Sequence, residues 1–220
     1  MKTINADKSI VFFDFDDTIA ACDVFDDIIL HFSKDERWIE IEKRWKEGKI
    51  GSKECLEGQL KGVRISRKAF DGYLATIKLD PYFKRLLKFL KTKKIKAMIL
   101  SDNFDYILRR VLNNKGARRL KIYSNRLRFV KDRLIPGFPF TDKKCRICGH
   151  CKKKNLLANI KRDSIIIYIG DGRSDICPAK CAHLVFAKKG LLRHFRDKKL
   201  ACVPFRSLKD VHGYLRRSVV

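Results

Sequence analysis

Three apolar runs constrain this chain most. They lie in SIVFF at 9–13, IKAMIL at 95–100 and SIIIYIG at 164–170, and each meets a polar cluster at once: DFDDT (14–18), SDN (101–103) and DGRSD (171–175). Apolar runs of this length without alternation predict strands buried on both faces. The segments between them follow helical spacing instead. In PYFKRLLKFLKTKK, Phe83, Leu86, Leu87 and Leu90 share one helical face and Pro81 suits the first turn. FDYILRRVLNNKG predicts a helix closed by Gly116. From about residue 21 to 79 no strand is predicted: Trp38, Ile41 and Trp45 recur at helical spacing, Gly48 reads as a stop and Ser52 as a start, so this stretch is a helical insert. LKIYSNRLRFVKDRLIPGF predicts a hairpin turning at Ser124-Asn125, and HLVFAKK and ACVPF are two further short strands. Strands alternating with helices give an α/β chain built on a parallel sheet.

That class explains the acids. In an open parallel sheet the carboxyl ends of the strands line the ligand crevice. Asp14, Asp16 and Asp171 therefore belong to a rim rather than to the interior, where an unpaired carboxylate would be costly. Asp, Asn and Gly also favour ordinary turns, but three such clusters on the three most apolar strands point to a site. Hard oxygen donors in small number suit Mg²⁺, which keeps several waters and works beside phosphates. A carboxylate can also act as a nucleophile that accepts a phosphoryl group.

The 220 residues carry 51 Lys+Arg against 25 Asp+Glu, a net charge of +26. Such a surface attracts phosphates and nucleic acid. The basic residues are spread along the chain, in KRWKEGK, KRLLKFLKTKKIK, GARRLK and CKKKN, which reads as a solvated surface. No stripe interleaves aromatic with basic residues, which counts against nucleic acid as a partner. MKTINADKS does not resemble a signal peptide and no stretch approaches a membrane span, so the expectation is a soluble cytoplasmic protein. Among eight cysteines, Cys145, Cys148 and Cys151 are spaced C-x-x-C-x-x-C. A structural zinc site needs a fourth ligand, for which Cys177 and Cys181 are candidates; the expectation is little zinc.

The ordered set DFDDT, ILSDN, a lysine in CKKKN and GDGRSD resembles the motifs of the haloacid dehalogenase superfamily of phosphohydrolases, in its phosphoserine-phosphatase-like branch. GKIGSKECLEGQ, LDPYF, SDNFDYIL, CGHCK and YIGDGRSDICPAKCAHLVFAK are similar to the group around the methionine-salvage 2-hydroxy-3-keto-5-methylthiopentenyl-1-phosphate phosphatase. The resemblance implies a Rossmann-like catalytic core over 1–20 and 80–220 with a small helical cap over 21–79. It implies an Mg²⁺-dependent phosphatase acting on a small phosphorylated metabolite through an aspartyl-phosphate. A phosphotransferase on the same scaffold, or a nucleic-acid-binding protein or polynucleotide end phosphatase, is the alternative.

Carried over residue by residue, the resemblance makes Asp14 the nucleophile and a metal ligand. Asp16 becomes the general acid/base, lending its carbonyl to the metal. Ser101 would hold a phosphoryl oxygen, and Lys152 matches the third-motif lysine, with Lys153 and Lys154 as alternatives in register. Asp171 and Asp175 complete the metal set. Thr18 matches the first motif's hydroxyl, and Asp17 stands where many relatives carry Gly. Asp23 falls where phosphoserine phosphatases place an acid against the substrate amine, with helix capping the equal alternative. Thr18, Asp23, Asp102 and Asn103 are the candidate substrate contacts. Arg64 is expected at the surface.

Overall fold

Strand β1 (Ser9–Phe13) is the centre of the molecule, and every one of its residues is buried. In this computed structural model, which describes residues 3–117, 120–142, 145 and 147–220, it lies between β2 (Lys96–Phe104) and β5 (Ile165–Gly170). Arg118 and Arg119 of the basic stretch GARRLK fall outside the described residues. With β3 (Lys121–Val130), β4 (Arg133–Gly137), β6 (Leu184–Ala187) and β7 (Val203–Pro204), the described strands form a seven-stranded sheet in the order β4-β3-β2-β1-β5-β6-β7. All neighbouring pairs are parallel except β3 with β4.

Alternation along β1 sends Val11 and Phe13 to one face and Ile10 and Phe12 to the other. On the first face they pack with Phe83 and Leu86 of α5 (Phe83–Thr92), Ile107 and Val111 of α6 (Asp105–Asn114), and Val211 and Leu215 of α10 (Leu208–Ser218). On the second face they meet Leu156 of α7 (Lys152–Leu157), Ala179 of α8 (Ile176–Ala179), and Leu191 and Phe195 of α9 (Lys189–Asp197). Burial on both sides is why β1 and β5 show continuous rather than alternating hydrophobicity. Pro81 precedes α5 by two residues, in the turn that leads into it.

Between β1 and α5 the chain folds into α1 (Val24–Phe32), α2 (Arg37–Lys46), α3 (Ser52–Leu60) and α4 (Arg67–Thr76). Gly48 follows α2 in a left-handed conformation (φ 76°), consistent with the stop signal. The wide helix α2 buries none of its residues fully, with Trp38 only half-buried, so its apolar side faces partly open space. Among the described residues no helix is long and apolar enough to cross a membrane.

The hairpin expected at Ser124-Asn125 turns elsewhere. Strand β3 runs straight through both residues, which are buried, and reverses at Lys131-Asp132, where Lys131 takes a φ of 57°. Its first half pairs with β2 and its second half with β4, with a register shift in the β2 pairing between Leu100 and Phe104. Tertiary partners override the local turn preference: the Asn125 side-chain amide donates to the Asp102 carbonyl at 2.6 Å and helps hold the irregular end of β2.

Candidate active site

The register of β1 fixes the site. Phe13 stands opposite Ile99 on one side and Ile169 on the other, so Asp14, Ser101 and Asp171, which follow shortly after, emerge at one edge of the sheet. The Asp14 backbone N–H still donates to the Ile169 carbonyl at 2.9 Å, which ties the first acid to the sheet. Its side chain is held by one oxygen only. Oδ1 accepts from the Phe15 N–H at 2.7 Å and from the Lys152 ammonium at 2.8 Å, while Oδ2 takes no hydrogen bond among the described residues.

Lys152 is the hub. It opens α7, is only 3 % exposed, and bonds both Asp14 and Asp175 at 2.8 Å. Lys153 and Lys154 are exposed, so of the three neighbouring lysines Lys152 is the one buried among the acids. Burial disfavours its charge, but the Asp14 and Asp175 carboxylates more than offset this and hold its pKa well above the ordinary value. Asp175 is equally engaged. Its Oδ1 accepts from Lys152 and the Tyr168 hydroxyl (2.7 Å), and its Oδ2 from the Asp171 and Gly172 N–H groups (both 3.0 Å). Against burial, these partners, Lys152 foremost, hold its carboxyl below the usual range. Gly170 is required beside it: a Cβ there would lie 2.5 Å from Asp175 Oδ2.

Asp16 is oriented from two elements. The first N–H of α1, at Val24, donates to Oδ1 at 3.0 Å, and the Asn103 amide donates to both oxygens at 3.0 and 3.1 Å. Burial and the Asp23 carboxylate push its pKa well up, so it holds a proton more readily than a free aspartate. Asp17 takes a φ of 50°, the left-handed conformation that glycine adopts freely and Asp tolerates. Its carboxylate pairs with Lys189 at 2.6 Å, across the edge from β6. The departure from Gly therefore keeps the turn.

The remaining candidates divide. Asp23 both caps α1, accepting from the Asp26 N–H at 2.9 Å, and lines the cavity; burial and then Asp26 raise its pKa to about 7. The capping role is thus present, in a residue that also faces the cavity. Asp102 lines the cavity too, with a buried Oδ1 that has no hydrogen-bond partner among the described residues and a pKa raised to about 6, chiefly by burial. Asn103 borders the cavity, but its polar ends are spent on Asp16 and on the Phe104 N–H. Thr18 donates to Asp171 Oδ1 at 3.1 Å and lies off the cavity wall. Ser101 is fully buried; its hydroxyl oxygen accepts from the Asn103 N–H at 3.1 Å. Arg64 donates to the Lys61 and Val63 carbonyls, away from the cavity.

One more buried residue belongs here, weighed in the sequence only as a strained metal partner beside Cys151. His150 bridges the sheet to α7: its Nδ1–H donates to the Ser101 carbonyl at 2.8 Å, and its Nε2 accepts from the Asn155 amide at 2.9 Å. The carbonyl partner fixes the tautomer. Burial drives its pKa down to about 4, so it stays neutral and positions the turn that delivers Lys152.

The oxygens of Asp14, Asp171 and Asp175 lie within 4.8 Å of one another. Burial and the neighbouring carboxylates raise the pKa of Asp14, and raise that of Asp171 to about 7. A rim of hard oxygens that repel one another fits a small divalent cation. With both Asp175 oxygens bonded twice, Asp14 Oδ2 and Asp171 are the open donors, and Asp175 braces the lysine and the turn. The three clustered cysteines do not converge in this way, although Cys145 and Cys148 place their sulfurs 3.9 Å apart. A cavity of about 170 Å³ sits over the acids. Its far wall comes from the helical insert, with Asp26 (α1), Glu42 and Trp45 (α2), and Cys55 and Gln59 (α3).

A doubly covered parallel sheet with this rim of acids and a buried lysine defines a phosphohydrolase of the haloacid dehalogenase type. Residues 9–194 match the family described as Putative Phosphatase, and the chain belongs to that family. It is 26% identical over 220 residues to the Pdp3-interacting factor 1 of Schizosaccharomyces pombe, covering 94% of each chain. It is also 26% identical over 210 residues to the 2-hydroxy-3-keto-5-methylthiopentenyl-1-phosphate phosphatase of Bacillus cereus, covering 94% of this chain and 95% of that one. Among solved structures, a phospho-aspartyl intermediate analogue of phosphoserine phosphatase superposes with a TM-score of 0.71 at 20% identity, over 97% of this chain and 99% of the other.

Proposed function

We propose that the chain hydrolyses a small phosphomonoester through a phosphoryl group carried transiently on Asp14. The carrying observation is the asymmetry of Asp14: Oδ1 is pinned by Lys152 and the Phe15 N–H, while Oδ2 is left free beside the cavity. In this reading Oδ2 attacks phosphorus in line with the ester oxygen, and the P–O ester bond breaks. Asp16, whose raised pKa suits a general acid, gives its proton to the leaving alkoxide. It then takes a proton from the water that attacks the acyl phosphate. Free phosphate leaves and Asp14 returns to its starting state. Lys152 keeps Asp14 oriented and offsets charge on the phosphoryl oxygens.

Asp14, Asp171 and the Asp16 carbonyl would hold Mg²⁺, with Asp175 in support. When bound, the ion supplies charge neutralisation for the nucleophile and the phosphoryl oxygens. Residues 21–79 would act as a cap that excludes bulk water during the reaction. The cap side of the cavity presents Asp23 and Asp26 with the Trp45 and Phe25 rings, while Glu42 is paired with Lys46 and Arg173 lies on the core side; the two remaining acids and the rings favour a substrate whose far end is cationic. The phosphatase relatives support hydrolysis over phosphotransfer in this reading.

Phosphate release from a panel of small esters is the test. Amino-alcohol phosphates should turn over fastest, activity should vanish in excess chelator, and added Mg²⁺ should restore it. Full activity in chelator, or a preference for anionic esters, would overturn the metal or the substrate assignment respectively. Asp16→Asn provides a second check. It should slow alkyl phosphates by about 10²–10⁴-fold in the first step, and aryl phosphates, whose leaving groups need no acid, far less. Equal losses on both classes would remove Asp16 from the role of acid.

A further inference from the structure

Away from the acidic cavity, the fold assembles a groove of opposite charge that no local stretch of sequence displays. It runs between α5 and α10, beside β7, with a volume of about 720 Å³. Its walls carry four exposed cations: Arg85 from α5, and Lys209, Arg216 and Arg217 from α10. None of the four is ion-paired among the described residues. The groove's one carboxylate, Asp210, is committed to capping α10: its Oδ2 accepts from the Arg206 and Ser207 N–H groups at 2.8 and 3.2 Å. The groove therefore carries four cations against this single carboxylate and is net positive.

Aromatic rings lie among these cations. Arg85 and Lys209 stand 5.7 and 5.8 Å from the Tyr82 ring centroid, and His212 lies 6.3 Å from it. Tyr214, half-buried, packs edge-on against Phe186 at 5.3 Å and also lines the groove. The interleaving of basic and aromatic residues that the linear sequence lacks is thus supplied by two helices more than a hundred residues apart. The groove shares no lining residue with the catalytic cavity.

We propose that this groove binds single-stranded nucleic acid, with Arg85, Lys209, Arg216 and Arg217 on backbone phosphates and the Tyr82 and Tyr214 rings against unpaired bases. Arginine forks match phosphate oxygens in pairs, and three of the four cations are arginine. A concave groove suits a strand rather than a flat anionic membrane. Aromatic side chains accept any base, because every base has a π face, but reach them only when unpaired.

The experiment measures binding of a short fluorescein-labelled single-stranded RNA by anisotropy across a salt series, using the full chain. Four phosphate contacts on a single strand give a slope of log K against log salt of about −3. Arg216→Gln/Arg217→Gln should halve that slope and weaken binding by about tenfold or more near 0.1 M salt. Arg193→Gln/Arg196→Gln on α9 removes the same charge off the groove and should change binding much less. Tyr82→Leu should weaken binding by about fivefold or more while leaving the slope unchanged. Phosphatase activity and thermal melting of each variant confirm that it is folded. Equal losses from the two arginine pairs would show that only overall charge is read. Equal displacement of the RNA by polyglutamate or by duplex RNA would overturn the assignment to single strands.

Discussion

Asp14→Asn is expected to lose turnover on the order of 10⁴-fold or more, as when a covalent nucleophile is removed, while leaving the fold intact. The amide is nearly the same size, and its oxygen can still accept from the Phe15 N–H at the place Asp14 Oδ1 occupies. What it lacks is a nucleophilic oxygen and a negative charge. The stability side of the prediction has a definite sign. Burial, then Asp175 and the other neighbouring carboxylates, raise the pKa of Asp14 in the folded chain. Such a group, once ionised, destabilises the fold above its unfolded pKa, and that cost is relieved as pH falls. Replacing it by a neutral isostere removes the cost at neutral pH, so the metal-free variant should melt at or above the parent's temperature. Steady-state assays with deamidation excluded by mass, together with thermal melts in chelator, check both halves. An inactive variant that is also unfolded would not count in favour of the nucleophile.

Lys152→Met is expected to fail in both respects. The ammonium is buried between two carboxylates at 2.8 Å, and its loss leaves Asp14 and Asp175 close together without their shared counter-charge. Breaking a buried ion pair by removing one partner costs about 3–5 kcal/mol, a large share of the roughly 5–15 kcal/mol that holds a domain folded. The loss should depend on pH. In the parent, Asp175 is held below its ordinary pKa and contributes stability above about pH 4 that disappears as pH falls through its folded value. In the variant, burial of Asp14 and Asp175 no longer meets opposition from Lys152, so both carboxyls titrate higher than in the parent and the charge cost is relieved as pH falls. The gap between parent and variant should therefore be widest near neutral pH and narrow toward pH 5. Lys152→Arg should not restore activity, because the planar fork does not fit a pocket built for a compact ammonium. A Lys152→Met chain with the parent's melting temperature and rate would show that the bridge is incidental.

The parts of this molecule that the sequence made legible are those whose signal is local. The runs before Asp14, Ser101 and Asp171 could only be buried strands, and a parallel sheet then had to deliver their ends to one rim. Lys152 could be placed only by motif order, because a lysine in CKKKN is otherwise a surface residue; burial singled it out from Lys153 and Lys154. What stayed hidden depends on contacts distant in sequence. The Asn103 amide reaches back to Asp16, 87 residues away, a partner no local pattern announces. The Thr18 hydroxyl turns to Asp171 across 153 residues. The β3–β4 turn was misplaced because Ser124 and Asn125 have turn chemistry, while the demands of the β2 pairing keep them extended. The groove between α5 and α10 was invisible for the same reason, since it exists only where the two helices meet, more than a hundred residues apart.

The central claim is that Asp14 carries the phosphoryl group. Rapid acid quenching during turnover of a good substrate with Mg²⁺ present, followed by peptide mass spectrometry, tests it directly. The account predicts a phosphoryl adduct on the peptide containing Asp14, labile to hydroxylamine as an acyl phosphate must be, and absent from Asp14→Asn. Turnover with no adduct at any quench time, combined with substantial activity in the Asp14→Asn chain, would contradict it and point to direct attack of water on phosphorus.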